Sequence, residues 1–302
     1  MPNWNQLLDE VRTAGSVYDL TRRKYLQQLQ ELTGRNVIVY YSAWLQKSDL
    51  LNQGVTGFEL NDNDKNGFMA TIHELDRSKG LDLLLHTPGG ATAATESLID
   101  YLRKMFGNDM RAIVPQLAMS AGTMVALACK EVVMGAQSSL GPVDPQIFGL
   151  PAHGIIEEFN RAADEIREDQ TRIPVWQPII AKYNPTLIGE AQKAIDWSSQ
   201  MVKDNLISGM FAEDYGADDK AAQIVEELGS HELTLTHDRH ISLERASELG
   251  IKVARLEENN DFQDAVLTVH HACIQTLSAT PIIKLIENHR GVAFMQAVEV
   301  VG

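Results

Sequence analysis

The stretch from Leu83 to Gln146 constrains the fold more than any other, because three apolar runs in it each stop at a glycine- or proline-marked turn. The first is Leu83-Leu84-Leu85-His86-Thr87-Pro88-Gly89-Gly90. The second is Val114-Pro115-Gln116-Leu117-Ala118-Met119-Ser120-Ala121-Gly122-Thr123-Met124. The third is Leu140-Gly141-Pro142-Val143-Asp144-Pro145-Gln146. Short apolar runs between turn signals predict buried strands, and the Ala-, Met- and Leu-rich segments predict helices. The pattern gives strand 81–86, helix 91–106, strand 111–115, helix 121–129 and strand 131–134. Such alternation folds as repeated right-handed βαβ units, which sets the class as α/β.

The turns supply backbone N–H groups, a hydroxyl and a carboxylate, the materials of an acyl-transfer site. Ser120 stands where the strand around Ile113 and Val114 gives way to a helix. The free N–H groups of a helix's first turn, with its dipole, stabilise an oxyanion developing beside them. Ala118, Ala121 and Gly122 leave room for a substrate backbone. Serine in that place is also a common helix N-cap, so the segment alone admits a purely structural role. Pro88-Gly89-Gly90 forces a tight turn free of side chains. A glycine N–H there is a second oxyanion donor beside the N–H of Ala121, although a lone Gly-Gly is equally an ordinary βα turn. Asp144 lies between Pro142 and Pro145, whose rigid backbone helps to aim a side chain. On its own it reads as a turn or capping residue as readily as a functional one.

The "TPGG" turn, the "AMSAGTM" segment and the "LGPVDPQ" segment, in this order and spacing, resemble the Clp-fold serine peptidases. Within them the chain looks like the serine dehydrogenase proteinases, relatives of signal peptide peptidase A and of the Clp proteolytic subunit. The likeness covers roughly 35–150 well and continues more weakly at Leu235-Thr236-His237-Asp238 and on to Ile251. It implies a Clp/crotonase-like fold of repeated ββα units with additional helices. It also implies peptide-bond hydrolysis, with Ser120 as nucleophile and the N–H groups of Gly90 and Ala121 as the oxyanion hole. The family's order of Ser, Asp and His maps onto Ser120, Asp144 and a histidine near 237. Signal peptide peptidases use a Ser–Lys dyad instead, and Lys182 is the candidate for that. Arg161 and Arg172 fall at other plausible spacings, but a guanidinium stays protonated and cannot act as a base.

His237 holds the matched position, its ordinary pKa suits proton transfer near neutrality, and His240 is the reserve base. His231, His237 and His240 lie together, yet their spacing lacks a metal-binding pattern, so neither a metal nor an organic cofactor is expected. The alternatives to a peptidase are a crotonase-like acyl-CoA enzyme, which shares the oxyanion architecture, and a catalytically inactive Clp-fold scaffold.

A net charge of −15 repels phosphates and argues against a nucleic-acid partner. The first nine residues lack a basic start and an apolar core, so no signal peptide is expected. The longest uncharged stretch, 112–129, contains Pro115, Gln116, Ser120 and Gly122 and is poor material for a membrane span. These readings suggest a cytoplasmic protein, and the resemblance implies a homo-oligomer. Cys129 and Cys273, in apolar helical stretches, read as buried free thiols.

The expected domain plan has a helical extension at 1–34 and a catalytic domain at 35–255 with a helical insertion near 154–230. A helical C-terminal segment follows at 256–302. Asp62, Asp64, Asn66 and Gly67 match the first half of an EF-hand loop, but the closing position holds His73, so a helix start is expected from Asp62 to about Arg77. The apolar run Ala297-Val298-Glu299-Val300-Val301 reads as a late strand.

Overall fold

A computed structural model describes residues 16–229 and 239–298. Helix α1 (Val17–Thr33) opens with a capping box between Ser16 and Asp19 and ends at Gly34, in the left-handed region at φ 68°. Strand β1 (Asn36–Ser42) follows, then the short α2 (Ser48–Asn52) and α3 (Asp64–Ile72). β2 (Leu81–His86) leads through the glycine pair into α4 (Thr92–Phe106). β3 (Met110–Val114), the two-residue β4 (Leu117–Ala118) and α5 (Ala121–Leu127) then follow. β5 (Glu131–Met134) and β6 (Ser139–Leu140) lead to a small hairpin, β7 (Gln146–Ile147) and β8 (Leu150–Pro151).

The helical block comprises α6 (Ala152–Glu168), α7 (Ile173–Ile180), α8 (Leu187–Ser208) and α9 (Ala217–Gly229). The described chain resumes before β9 (Ile241–Ser242), α10 (Leu243–Glu248), β10 (Val253–Arg255) and α11 (Asn260–Ala279). It closes with β11 (Ile282–Asn288) and β12 (Ala293–Ala297).

The main sheet runs β10-β5-β3-β2-β1-β11-β12, with β10 to β1 parallel and β11 and β12 antiparallel. Every residue of β1 and β2 is buried, because helices cover both faces and leave no solvent side to alternate with. Leu83 and Leu85 join Leu98, Met124 and Leu206 on one face. Leu84 joins Leu26, Val269 and Cys273 on the other. Each such leucine contributes about 2 kcal/mol of burial, and a one-residue slip would exchange the two sets.

A second, small sheet of β4, β6 and β9 stands at the C-terminal ends of the parallel strands. The chain thus goes from a long strand to a short one and then a helix, as in β3-β4-α5, and β5-β6 repeats the strand pair. That is the expected ββα arrangement within an α/β fold. Residue Thr87 bridges Ala118 in the same manner after β2.

Two elements differ from the sequence reading. The helix expected to run to Arg77 stops at Ile72, where Glu74 takes a left-handed backbone (φ 62°). The C-terminal segment is helical only to Ala279; beyond Pro281 the chain enters the main sheet as β11 and β12 instead of remaining helical. Most of the late strand expected at 297–301 lies outside the described residues; the last described strand is Ala293–Ala297. Cys129 and Cys273 are free and buried, and burial pushes the Cys129 thiol up to about 12.

Candidate active site

Ser120 occupies the turn between β4 and α5 with φ 49° and ψ −114°, a conformation few side-chain-bearing residues adopt. Its hydroxyl makes no capping bond to the helix it precedes, although its position is that of an N-cap. The simple structural explanation for this serine is therefore missing. Small residues enclose it. A Cβ on Gly89 would come within 2.7 Å of the Ser120 Cβ, and one on Gly141 within 3.0 Å of the Ser120 nitrogen. Side chains at either position would push the serine out of place.

Two N–H groups are left over beside it. The Gly89 N–H is used, donating to Thr87 Oγ1 at 3.1 Å. Leu60 brackets the next residue, donating to the Gly89 carbonyl at 2.7 Å and accepting from the Ala91 N–H at 2.9 Å. In that parallel bridge the N–H of Gly90 points away from Leu60. Among the described residues it has no hydrogen-bond partner. Neither has the N–H of Ala121, the first of its helix, where an orphan donor is expected.

The small sheet brings the other stretches to the same place. Ala118 pairs with Leu140, and Leu140 with Ile241. The residues after Ala118 and Leu140 and those before Ile241 all leave the sheet at one end. These stretches carry Ser120, Asp144 and His240. Asp144 is buried, and the preceding Val143 donates to the Leu228 carbonyl at 3.1 Å. Leu228 also lines a cleft of about 410 Å³ with Glu227, Arg239, His240 and Arg245. His240 is exposed there. His237 lies outside the described residues. Lys182 is exposed, just past α7 in the helical block, and donates its N–H to the Ile179 carbonyl at 3.2 Å.

Thr123 is a constraint that sequence reasoning passed over. Its hydroxyl lies 2.8 Å from the Ala118 carbonyl and 2.9 Å from the Gly141 carbonyl, and it accepts from the Gly141 N–H at 2.9 Å. It thereby ties the Asp144-bearing loop to the turn that carries Ser120. The only hint in the sequence is the threonine inside "SAGT". Asp64, the central residue of the EF-hand-like run, is instead buried against Lys284. Among the described residues no group of three His, Cys, Asp or Glu side chains is placed to hold a metal ion. No described helix is long and apolar enough to cross a membrane.

Residues 13–279 match the family described as ClpP-like SDH-type serine proteinase. Two uncharacterized proteins of Methanocaldococcus jannaschii are similar to the chain. One is 33% identical over 190 residues, 63% of this chain and 59% of that protein. The other is 32% identical over 190 residues, 63% of this chain and 57% of that protein. The chain thus spans less than two thirds of the length of these relatives. Among solved structures, a mutant of the membrane-bound stomatin-specific protease 1510-N is 17% identical, with a TM-score of 0.41, covering 68% of this chain and 79% of that one. The match over most of its length makes this chain a member of the ClpP-like SDH-type serine proteinase family.

Proposed function

We propose that the protein is a serine endopeptidase that cleaves peptide bonds through Ser120. The observation that supports this most is the strained Ser120 turn, packed between Gly89 and Gly141, with the unpartnered N–H groups of Gly90 and Ala121 beside it. Ser120 Oγ attacks the scissile carbonyl, and the Gly90 and Ala121 N–H groups receive the oxyanion. A histidine takes the serine proton and returns it to the leaving amine; Asp144 orients that imidazole. His237 is the first choice for the base because it holds the position matched by the family resemblance; His240 is the second, and it enters β9 at the end of the small sheet where the segments of Ser120 and Asp144 also leave it. Lys182, exposed in the helical block, is a weaker candidate. The chemistry needs no metal or cofactor, and the protein acts as a cytoplasmic homo-oligomer on peptide or protein substrates.

The test is proteolysis of an unstructured protein substrate, followed by mapping of new N-termini. Cleavage that disappears in Ser120→Ala supports the reading. Equal cleavage by Ser120→Ala, or turnover of acyl-CoA thioesters in place of peptides, overturns it. His237→Ala, His240→Ala and Lys182→Ala assign the base: the true one is expected to lower turnover by about 10² or more, and the others to leave it near wild type.

A further inference from the structure

A buried ion pair outside the acid–base machinery reaches the glycine loop from behind. Lys284, on β11, has no exposed side-chain surface, and Asp64, at the start of α3, has almost none. Lys284 Nζ lies 2.8 and 3.0 Å from the two Asp64 oxygens and donates to the Glu59 carbonyl at 2.7 Å. Asp64 Oδ2 also accepts from the Asn61 N–H at 2.9 Å and from the Tyr40 hydroxyl at 2.8 Å. The backbone on both sides of Leu60 is therefore bound to the pair. Leu60 in turn grips Gly89 and Ala91, and a Cβ on Gly90 would overlap the Leu60 backbone.

Stability alone is a weak reason for such a pair. Apolar side chains of similar volume are often as stable as a buried salt bridge or more so. What they cannot do is bind a carbonyl and an N–H group on either side of one residue. A second buried pair on the same strand offers the contrast. Glu287 pairs with Arg22 of α1 on the opposite face of the sheet and touches nothing in the glycine loop.

We propose that Lys284, Asp64 and Tyr40 are positioning residues that hold the Leu60 backbone and, through it, set the Gly90 N–H in the oxyanion site. This rests on the reading of Ser120 as nucleophile. Lys284 lies beyond the stretch that matches the family, so the device couples the C-terminal strand pair to the catalytic loop.

The test uses the full-length protein and a fluorophosphonate probe, with labelling resolved into an acylation rate constant and a probe affinity. Hydrogen–deuterium exchange of the peptide spanning 87–92 is measured beside it. Tyr40→Phe and Lys284→Met are expected to slow acylation about tenfold or more at nearly unchanged probe affinity, because a misplaced donor fails mainly in the transition state. Exchange at Ala91 is expected to quicken. Arg22→Met is expected to lower the thermal midpoint yet leave both readouts near wild type. Should Lys284→Met fail to fold, Tyr40→Phe, which removes one hydroxyl at constant ring shape, decides the matter. Wild-type acylation in folded Tyr40→Phe overturns the proposal. If the wild-type protein takes up no probe, the nucleophile reading falls and exchange alone judges the clamp. Ala91 exchange no faster than in Arg22→Met would then overturn it.

Discussion

At Ser120 the backbone and the proposed chemistry pull in the same direction. A non-glycine residue at φ 49° costs about 1–3 kcal/mol, and the fold keeps it there although its hydroxyl caps nothing. Ser120→Gly relieves that strain but adds freedom to the unfolded chain, worth about 0.4–1 kcal/mol in the other direction. The net expectation is a protein at least as stable as wild type by urea denaturation and without peptidase activity. A clear loss of stability would mean that the turn is not strained. Gly90→Ala should do the reverse: its methyl overlaps the Leu60 backbone, so the loop must shift. Acylation of Ser120 is expected to fall by about 10² or more, as when an oxyanion donor is lost. The candidate residues could be singled out in the sequence because the turn, the serine and the aspartate sit in three linked local motifs. The pair of Lys284 and Asp64 could not, because 220 residues separate them and only the fold brings them together.

Among the elements, the small sheet is what brings the segments of the candidate site together. β4, β6 and β9 are two residues each, too short to be read from periodicity, and their pairing joins segments more than a hundred residues apart. Thr123 locks two of those segments with one hydroxyl. Thr123→Val keeps the shape and removes the bonds, leaving the buried Gly141 N–H without its acceptor. A loss of about 1–3 kcal/mol is expected in thermal or urea unfolding, together with reduced activity. Unchanged stability would show the lock to be dispensable. Strand β11 escaped the sequence reading for a related reason. Ile282-Ile283-Lys284-Leu285-Ile286 shows no alternation because both faces of β11 are covered, and a short apolar run can continue a helix or form a strand.

For the whole molecule, the face opposite Ser120's helix carries a buried histidine pair. Burial lowers the pKa of His86 to about 3 and that of His270 to about 4, with each depressed further by a neighbouring histidine. Their rings lie 5.5 Å apart against Tyr41 and Trp44, and the Tyr41 hydroxyl is 3.1 Å from His270 Nδ1. Both are neutral in the fold, whereas in the unfolded chain they take up protons near pH 6.5. The unfolded state therefore binds more protons as pH falls below that value. Stability is full above it and declines by up to about 1.4 kcal/mol per pH unit for each histidine, until the folded pKa values near 4 and 3 are passed. Urea midpoints measured between pH 7 and 4.5 should follow this slope, and His86→Phe should flatten it. An unchanged slope in that variant would assign the acid sensitivity elsewhere.

The most direct measurement is mass-spectrometric mapping of a fluorophosphonate adduct on the purified full-length protein, with Ser120→Ala beside it. Modification of Ser120, absent from the variant, is the expected result and would make this serine an activated nucleophile. Failure to label, or labelling that persists undiminished in Ser120→Ala, would contradict the central role given to this turn.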